Sequence, residues 1–421
     1  MAFESFAAAR WALLGSIFLI AVLLGAVVNR THFCTMGAVS DAVNMGDFRR
    51  LRAWLLAIAV AAAGVALLEP LGLIGAERTM PPYRSADFAW AGYLLGGLLF
   101  GVGMTLGGGC GNKVLVRLGA GNLKSLVVAA VLGVSAYYMT NPPPGLELPL
   151  RGLLFGWIDA LAIELPHGQG LASLAAGEAA ARVRPLIAAA LCLGLLYAAL
   201  RSAALRRSRG HLLGGAAVGA AVVAVLLISS NVWVVDDFGQ RQDLQSYATN
   251  WSFHHPDSEA GRPESARLLA PQGLSFVGPV AQGAGYVGHG LDPALATIGV
   301  ALAAGVIAGS FLAGLFSRSL RLEWFASRAD LGNHLLGGLL MGVGGVLAMG
   351  CTFGQAITGA ATLALSAPVT MLAILLGSAL TMKVQYYRLL HEEEATLGKA
   401  LLTGLVDLRL LPAAMRQLDA L

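Results

Sequence analysis

The residues best suited to chemistry are three cysteines, Cys34, Cys110 and Cys351, each flanked by glycine or polar residues at the end of a hydrophobic stretch. Cys110 closes the phrase GGLLFGVGMTLGGGC that starts at Gly96, and Cys351 closes GGLLMGVGGVLAMGC that starts at Gly337; without a gap, ten of fifteen positions are identical. Each glycine lowers helix stability by roughly 1 kcal/mol relative to alanine, so Gly107, Gly108, Gly109 and Gly111 predict a helix break around Cys110. The following GNKVLVRLG, with Asn112 second, is long enough for about two turns and puts Cys110 at the N-terminus of a short half-helix. Gly350 to Gly359, with Thr352 and Gln355, repeats the plan. Unpaired backbone donors and the positive end of the helix dipole would then surround each thiol, an arrangement suited to an anion. Read singly, either phrase also serves close helix packing, with the cysteine as a small buried hydrophobe. Its occurrence in both halves favours a site.

The third thiol lies in NRTHFCTMGAVSDAV, residues 29–43, again a polar, broken stretch. His32 beside it reads equally as a loop histidine. Cys192 falls inside a uniformly apolar stretch and reads as packing. Asp41 and Glu69 lie near the ends of apolar runs, where a carboxylate caps or is solvated more often than it carries protons. No CxxC or zinc-like spacing is present, so neither a metal site nor any other cofactor is encoded, and no P-loop, HExxH, nucleophile elbow or dinucleotide fingerprint carries weight.

These segments need a scaffold, and composition names it. A chain of 421 residues, 57% hydrophobic and 12% charged, with a mean hydropathy of +0.70, is too apolar for a soluble domain. The expected fold is an all-α polytopic membrane protein. Apolar runs at 11–28, 52–74, 91–108, 122–140, 184–201, 211–229, 293–316, 333–350 and 366–386 make nine spans, with 150–165 as an interfacial helix or short excursion. The first run continues without a small-residue cleavage site and reads as a span, not a signal peptide. The 54 glycines suit close helix contacts and broken helices. A formal charge of +4 without a basic tract gives no reason to expect nucleic acid.

Lysine and arginine set orientation. Arg49, Arg50 and Arg52; Lys113, Arg117 and Lys124; Arg201, Arg206, Arg207 and Arg209; and Arg318, Arg321 and Arg328 all fall on one side of a nine-span chain, joined by Lys383, Arg388 and Lys399. The positive-inside rule makes that side cytoplasmic, with the N-terminus outside and the C-terminus inside. The span ending at Cys110 then runs inward and the one ending at Cys351 outward, so the copies are inverted about an axis in the membrane plane. The implied organisation is a first repeat at 1–145 with Cys34 and Cys110, a linking span region at 146–205, a second repeat at 206–390 with Cys351 and an external loop at 236–290, and a cytoplasmic tail at 391–421. Span six should correspond to span one, yet SSNVWVVDD after it has no cysteine, which leaves three thiols and one vacant corner.

HFCTMGAVSD, the run from Gly101 to Asn112 and the run from Gly342 to Gln355 together resemble the YeeE/YedE family of sulfur-transport membrane proteins. The resemblance implies a bacterial inner-membrane permease of hourglass shape, with short helices dipping to its centre. It also implies that Cys34, Cys110 and Cys351 line a path for thiosulfate, supported by Gly108, Gly109, Gly111, Asn112, Gly350, Thr352, Gln355 and His32. A small cytosolic sulfur carrier of the TusA-like type is the implied acceptor. Thiosulfate is a dianion with a polarizable terminal sulfur, so neutral thiols can offer it weak S–H hydrogen bonds while half-helix ends offset its charge. Weak successive sites suit conduction, and burial should keep the thiols protonated.

Other readings stay open on the residues alone. Some relatives of the family are associated with selenium compounds. Thiols with Met36, Met104 and Met349 suggest a soft-metal Cu(I) channel. Lys113 close to Cys110 would suit a membrane sulfurtransferase working through a cysteine persulfide.

Overall fold

The computed structural model describes residues 1–236, 239–254, 268–391 and 394–419. Its helices in chain order are α1 (Phe6–Thr31), α2 (Thr35–Asn44), α3 (Arg49–Leu68), α4 (Trp90–Leu106), α5 (Gly111–Gly119), α6 (Leu123–Thr140), α7 (Leu150–Asp159), α8 (Leu171–Ala176) and α9 (Ala180–Leu200). They continue with α10 (Ala203–Arg206), α11 (Arg209–Ser230), α12 (Leu244–Thr249), α13 (Trp251–His254), α14 (Val277–Gly288), α15 (Ile298–Phe316) and α16 (Arg328–Leu347). A π-helix, Thr352–Gly359, precedes α17 (Ser366–Leu390) and α18 (Leu397–Asp407). Strands are short: β1 (Ala2–Phe3) pairs in parallel with β4 (Trp233–Val235), β4 antiparallel with β5 (Arg241–Asp243), and β2 (Asp87–Phe88) with β3 (Ile163–Glu164).

Among the described residues, nine segments are long and apolar enough to cross a membrane, and the fold is the all-α polytopic one expected. Four of them are broken: 6–44 at Cys34, 90–119 at Cys110 and 328–359 at Cys351, each at one of the cysteines singled out in the sequence, and 171–200 at the turn Gly177–Ala179 between α8 and α9. The segment at 150–165 gives the ten-residue α7, too short to span.

Close approach at glycine holds the bundle together, as lipid offers no hydrophobic drive for helices to associate. The duplicated phrases pack on each other. A Cβ on Gly96 would lie 2.6 Å from the Gly344 carbonyl oxygen, and one on Gly344 2.6 Å from that of Gly96. Likewise Gly103 would meet the Gly337 carbonyl at 2.7 Å and Gly337 the Gly103 carbonyl at 2.8 Å. α4 and α16 therefore cross antiparallel, with the backbones in contact. Around them α4 packs on α17 and α16 on α6, while α1 packs on α15 and α11 on α3.

The basic loops gather at one end. Lys124 pairs with Asp330 at 2.8 Å and Arg117 with Glu323 at 3.8 Å, joining the turns after α5 and before α16. At the opposite end Arg84 binds Glu69 at 2.5 Å, Arg184 binds the same carboxylate at 3.0 Å, and Arg10 donates to the carbonyls of Pro293, Ala294 and Ala296. Glu69 is thus ion-paired, and so is Asp41, 3.2 Å from Arg50; both carboxylates are held by arginine, and neither caps a helix or stands free in solvent, the roles expected from the sequence.

The stretch read as an external loop, 236–290, is more than a loop. Residues 237–238 and 255–267 lie outside those described, but Leu269, Ala270, Leu274 and Phe276 form a buried strap that leads into α14, whose Val277, Pro279, Val280 and Ala281 are buried too. At twelve residues α14 is too short to register as a span, which is why sequence length hides it.

Candidate functional site

Each of the three cysteines is the N-cap of a half-helix: Cys34 of α2, Cys110 of α5 and Cys351 of the π-helix. All three are free and buried. A cap residue needs extended backbone and an acceptor for the first free N–H groups, and Cys34 supplies both, its Sγ accepting from the Gly37 N–H at 3.5 Å. The glycines make the breaks possible. Gly108 has φ +74°, a left-handed conformation that costs other residues roughly 1–2 kcal/mol, and its carbonyl accepts from Arg117 at 2.9 Å. Gly350 has φ +154° and donates to the Gly345 carbonyl at 2.8 Å. Gly109 rests against the Lys113 stem and Gly111 against Phe276.

The half-helices meet at the centre. Thr35 Oγ1 lies 3.9 Å from Cys110 Sγ. Gly111, beside Cys110, lies against Phe276, whose neighbour Ser275 adjoins Cys351. Asn29 donates to the Ser310 carbonyl at 2.9 Å, and Ser310 donates to the Val116 carbonyl at 2.6 Å, which ties the end of α1 through α15 to α5. A fourth N-terminus completes the ring. Phe276 is the N-cap of α14, its backbone faces Cys351, and Ser275 Oγ stands 4.0 Å from Cys351 Sγ. The stretch directly after α11, read from the sequence as a vacant corner, forms β4 at residues 233–235 instead.

Polar side chains at this ring lack partners. Both side-chain atoms of Asn112 and Oγ1 of Thr352 are buried with no hydrogen bond among the described residues. An unmet buried polar group costs about 1–3 kcal/mol, so such positions suit a ligand with hydrogen-bonding atoms. Gln355, by contrast, is consumed by the fold: it donates to the Ala348 carbonyl at 2.7 Å and accepts from Ser366 at 3.1 Å. His32 does not join the ring; it ends α1 with φ 52° and its side chain is exposed. Cys192 sits apart, its Sγ 3.7 Å from the Ala59 carbonyl.

The two approaches to the ring differ in charge. A cavity of about 940 Å³ reaches it from the end that carries Glu69, with Tyr137, Asn141, Gln282, Met349, Ser275 and Gly350 in its lining. Among its described lining residues none is Asp, Glu, Lys or Arg. From the basic end, Lys113 and Arg50 reach Cys34 electrostatically, and the Arg50 guanidinium covers Gly37. Sequence reasoning missed Tyr83, which is buried close to Cys351 and Gly354. Burial pushes its phenol up, with Cys351 adding to the effect, so the hydroxyl stays a neutral donor.

Residues 30–380 match the profile of the sulphur-transport family, a stretch that contains all three half-helix thiols. The chain belongs to that family, as its cysteine motifs suggested. It is 27% identical over 367 residues to the thiosulfate transporter TsuA of Escherichia coli, covering 84% of this chain and 90% of that protein. It is 26% identical over 381 residues to the thiosulfate transporter TsuA of Spirochaeta thermophila, covering 86% and 95%. Both relatives carry the names of transporters, not enzymes, and the sulphur-transport chain described here is accordingly a multi-pass membrane transporter.

Proposed function

We propose that this member of the sulphur-transport family imports thiosulfate, or a closely related sulfur anion, through the ring of half-helix ends. The observation that carries this reading is the position of Cys34, Cys110 and Cys351 as N-caps beside the unpartnered side chains of Asn112 and Thr352. Helix N-termini favour an anion without a fixed cation that would trap it. The sulfane sulfur would pass among thiols as a weak S–H acceptor, and the sulfonate oxygens would satisfy Asn112 and Thr352. Gly108, Gly109, Gly111 and Gly350 act by shaping the breaks, and Gln355 by holding the second one.

The exchanged contacts of Gly96 with Gly344 and Gly103 with Gly337 support two inverted units. These are equivalent positions of the two phrases, and a pairing in which position one meets position eight in both directions is what a two-fold axis produces. On this reading residues 1–145 and 206–390 are the units, 146–205 links them, and 391–421 is a tail at the basic end. That end is cytoplasmic by the positive-inside rule, in a bacterial inner membrane, so the neutral cavity opens outward and the N-terminus is external. A TusA-like carrier on the cytoplasmic side would draw the product onward.

The test is uptake of sulfane-labelled thiosulfate into cells or liposomes carrying the protein. Cys110→Ala and Cys351→Ala should reduce uptake to background, with Cys192→Ala as the active control. Equal uptake by all four proteins would remove the thiols from the path.

A further inference from the structure

Four aromatic side chains meet where the half-helix ends converge. Phe353 is their hub: its ring centroid lies 5.0 Å from Phe276, 5.3 Å from Trp54 and 5.9 Å from Phe33, each at a steep angle, and Phe33 stacks on Trp54 at 4.7 Å. All four are buried. They belong to different corners of the ring, since Phe33 precedes Cys34, Phe353 follows Cys351 by two residues, and Phe276 is the cap of α14 and rests against Gly111 beside Cys110. The lining of the neutral cavity includes Ser275 and Val277, the two neighbours of Phe276, and Gly350, the neighbour of Cys351, but none of the four rings. The Arg50 guanidinium lies against Gly37 in the half-helix capped by Cys34, the residue after Phe33. The cluster also holds a buried indole N–H, that of Trp54, with no partner among the described residues.

Resting on the transport reading above, we infer that Phe33, Trp54, Phe276 and Phe353 form a collar that sets anion selectivity. An apolar constriction is crossed only by an anion that can shed water there. Sulfate presents strongly hydrated oxygens in every orientation. Thiosulfate presents on one side a large, polarizable sulfur that makes favourable contacts with aromatic rings, as thioether sulfur does. Ring edges carry the positive side of the aromatic quadrupole and so tolerate the charge that follows. The Trp54 N–H is the one neutral donor inside the collar and would meet a trailing oxygen. Phe276 occupies the corner without a thiol, so at that corner an aromatic ring alone faces the half-helix ends, while Phe33 and Phe353 stand beside thiols.

The experiment compares uptake of labelled thiosulfate and labelled sulfate by wild type, Phe276→Ala, Phe353→Ala and the milder Phe353→Leu, each at matched membrane levels. The wild type should move thiosulfate and leave sulfate at background. The alanine variants should raise the sulfate to thiosulfate ratio about tenfold, and Phe353→Leu, which keeps an apolar closure, about threefold. An unchanged ratio makes the collar mere packing and overturns the proposal. Should the alanine proteins fail to reach the membrane, Phe353→Leu decides the matter on the same criterion. A second measurement, mass-mapped labelling by an impermeant anionic thiol reagent added from the cavity side, does not depend on transport. Cys34 should be protected in the wild type and labelled in Phe353→Leu and the alanine variants; equal labelling in all of them is the overturning result. If wild-type protein moves no thiosulfate, the transport reading fails while the labelling still decides whether the collar is a barrier.

Discussion

After Cys110 the chain continues as a regular α-helix, with Asn112 unpartnered and Lys113 packed on Gly109, whereas after Cys351 it continues as a π-helix whose Gln355 is bound to Ala348 and Ser366. Both segments follow copies of one phrase, and up to the cysteine both do the same job: Gly96 and Gly103 on one helix face Gly344 and Gly337 on the other. The shared part is thus packing, fixed by the need of two backbones to touch. The divergent part faces the ring, with basic residues near one break and a neutral cavity near the other. Two copies of one phrase thus end in two breaks whose flanks differ in charge and in helix type.

The largest effect should come from breaking the shared part. Gly103→Leu and Gly337→Leu each drive a side chain into a backbone carbonyl less than a van der Waals contact away. Overpacking of this kind costs about 1–3 kcal/mol and sometimes more. Thermal unfolding in detergent should show a large loss for both variants and of similar size, because each glycine faces the other's carbonyl. A large loss for one and none for the other would break the equivalence of the two copies.

A smaller pair of effects sharpens the divergent part. Gln355→Leu leaves the Ala348 carbonyl without its donor, a cost of about 1–3 kcal/mol, so stability and uptake should fall together. Asn112→Leu removes two buried polar atoms that have no partner among the described residues. It should leave stability unchanged or raised while thiosulfate uptake drops about tenfold, the size of one lost hydrogen bond to a charged group. The same kind of substitution just after each cysteine would then report scaffold in one half-helix and substrate contact in the other. If Asn112→Leu destabilises as Gln355→Leu does, Asn112 belongs to the scaffold as well.

What could be read from the sequence were features that local pattern encodes. Apolar runs gave the spans, glycine around Cys110 and Cys351 gave the breaks, and the short polar stretch at 29–43 gave the third, because helix propensity and hydrophobic length act within a few residues. What could not be read comes from chain segments whose local pattern says something else. α14 is too short and too rich in glycine to look like a membrane element, and Phe276 looks like any apolar loop residue until tertiary bonds bring it in: Thr358 Oγ1 donates to the Leu274 carbonyl at 2.9 Å and the Met80 N–H to the Pro271 carbonyl at 2.9 Å. Phe33 and Phe353 were visible inside the cysteine motifs, yet an aromatic residue in an apolar run reads as core. His32, polar and next to Cys34, looked the better candidate and is exposed. Polarity in sequence marks the residues that need partners, and it does not say which of them the fold turns inward.

The smallest expected effect concerns Tyr83, which belongs to neither copy of the phrase but is brought to the Cys351 side by its neighbour. Arg84 donates to the Thr362 carbonyl at 2.7 Å and binds Glu69 through both terminal nitrogens, at 2.5 and 3.0 Å. This pins the segment against the end of the π-helix and leaves the Tyr83 hydroxyl over Gly354. A neutral hydroxyl over Gly354, beside the half-helix capped by Cys351, is worth one ordinary hydrogen bond, about 0.5–1.5 kcal/mol, so Tyr83→Phe should lower uptake severalfold at most and leave the effect of Cys351→Ala far larger. Because the phenol is held above its usual value of about 10, it does not ionise below that pH. The ratio of variant to wild-type uptake should therefore stay flat between about pH 7 and 9. A ratio that climbs towards 1 as pH rises would mean the wild-type phenol ionises in this range, contrary to its burial, and would remove Tyr83 as a neutral donor beside Cys351.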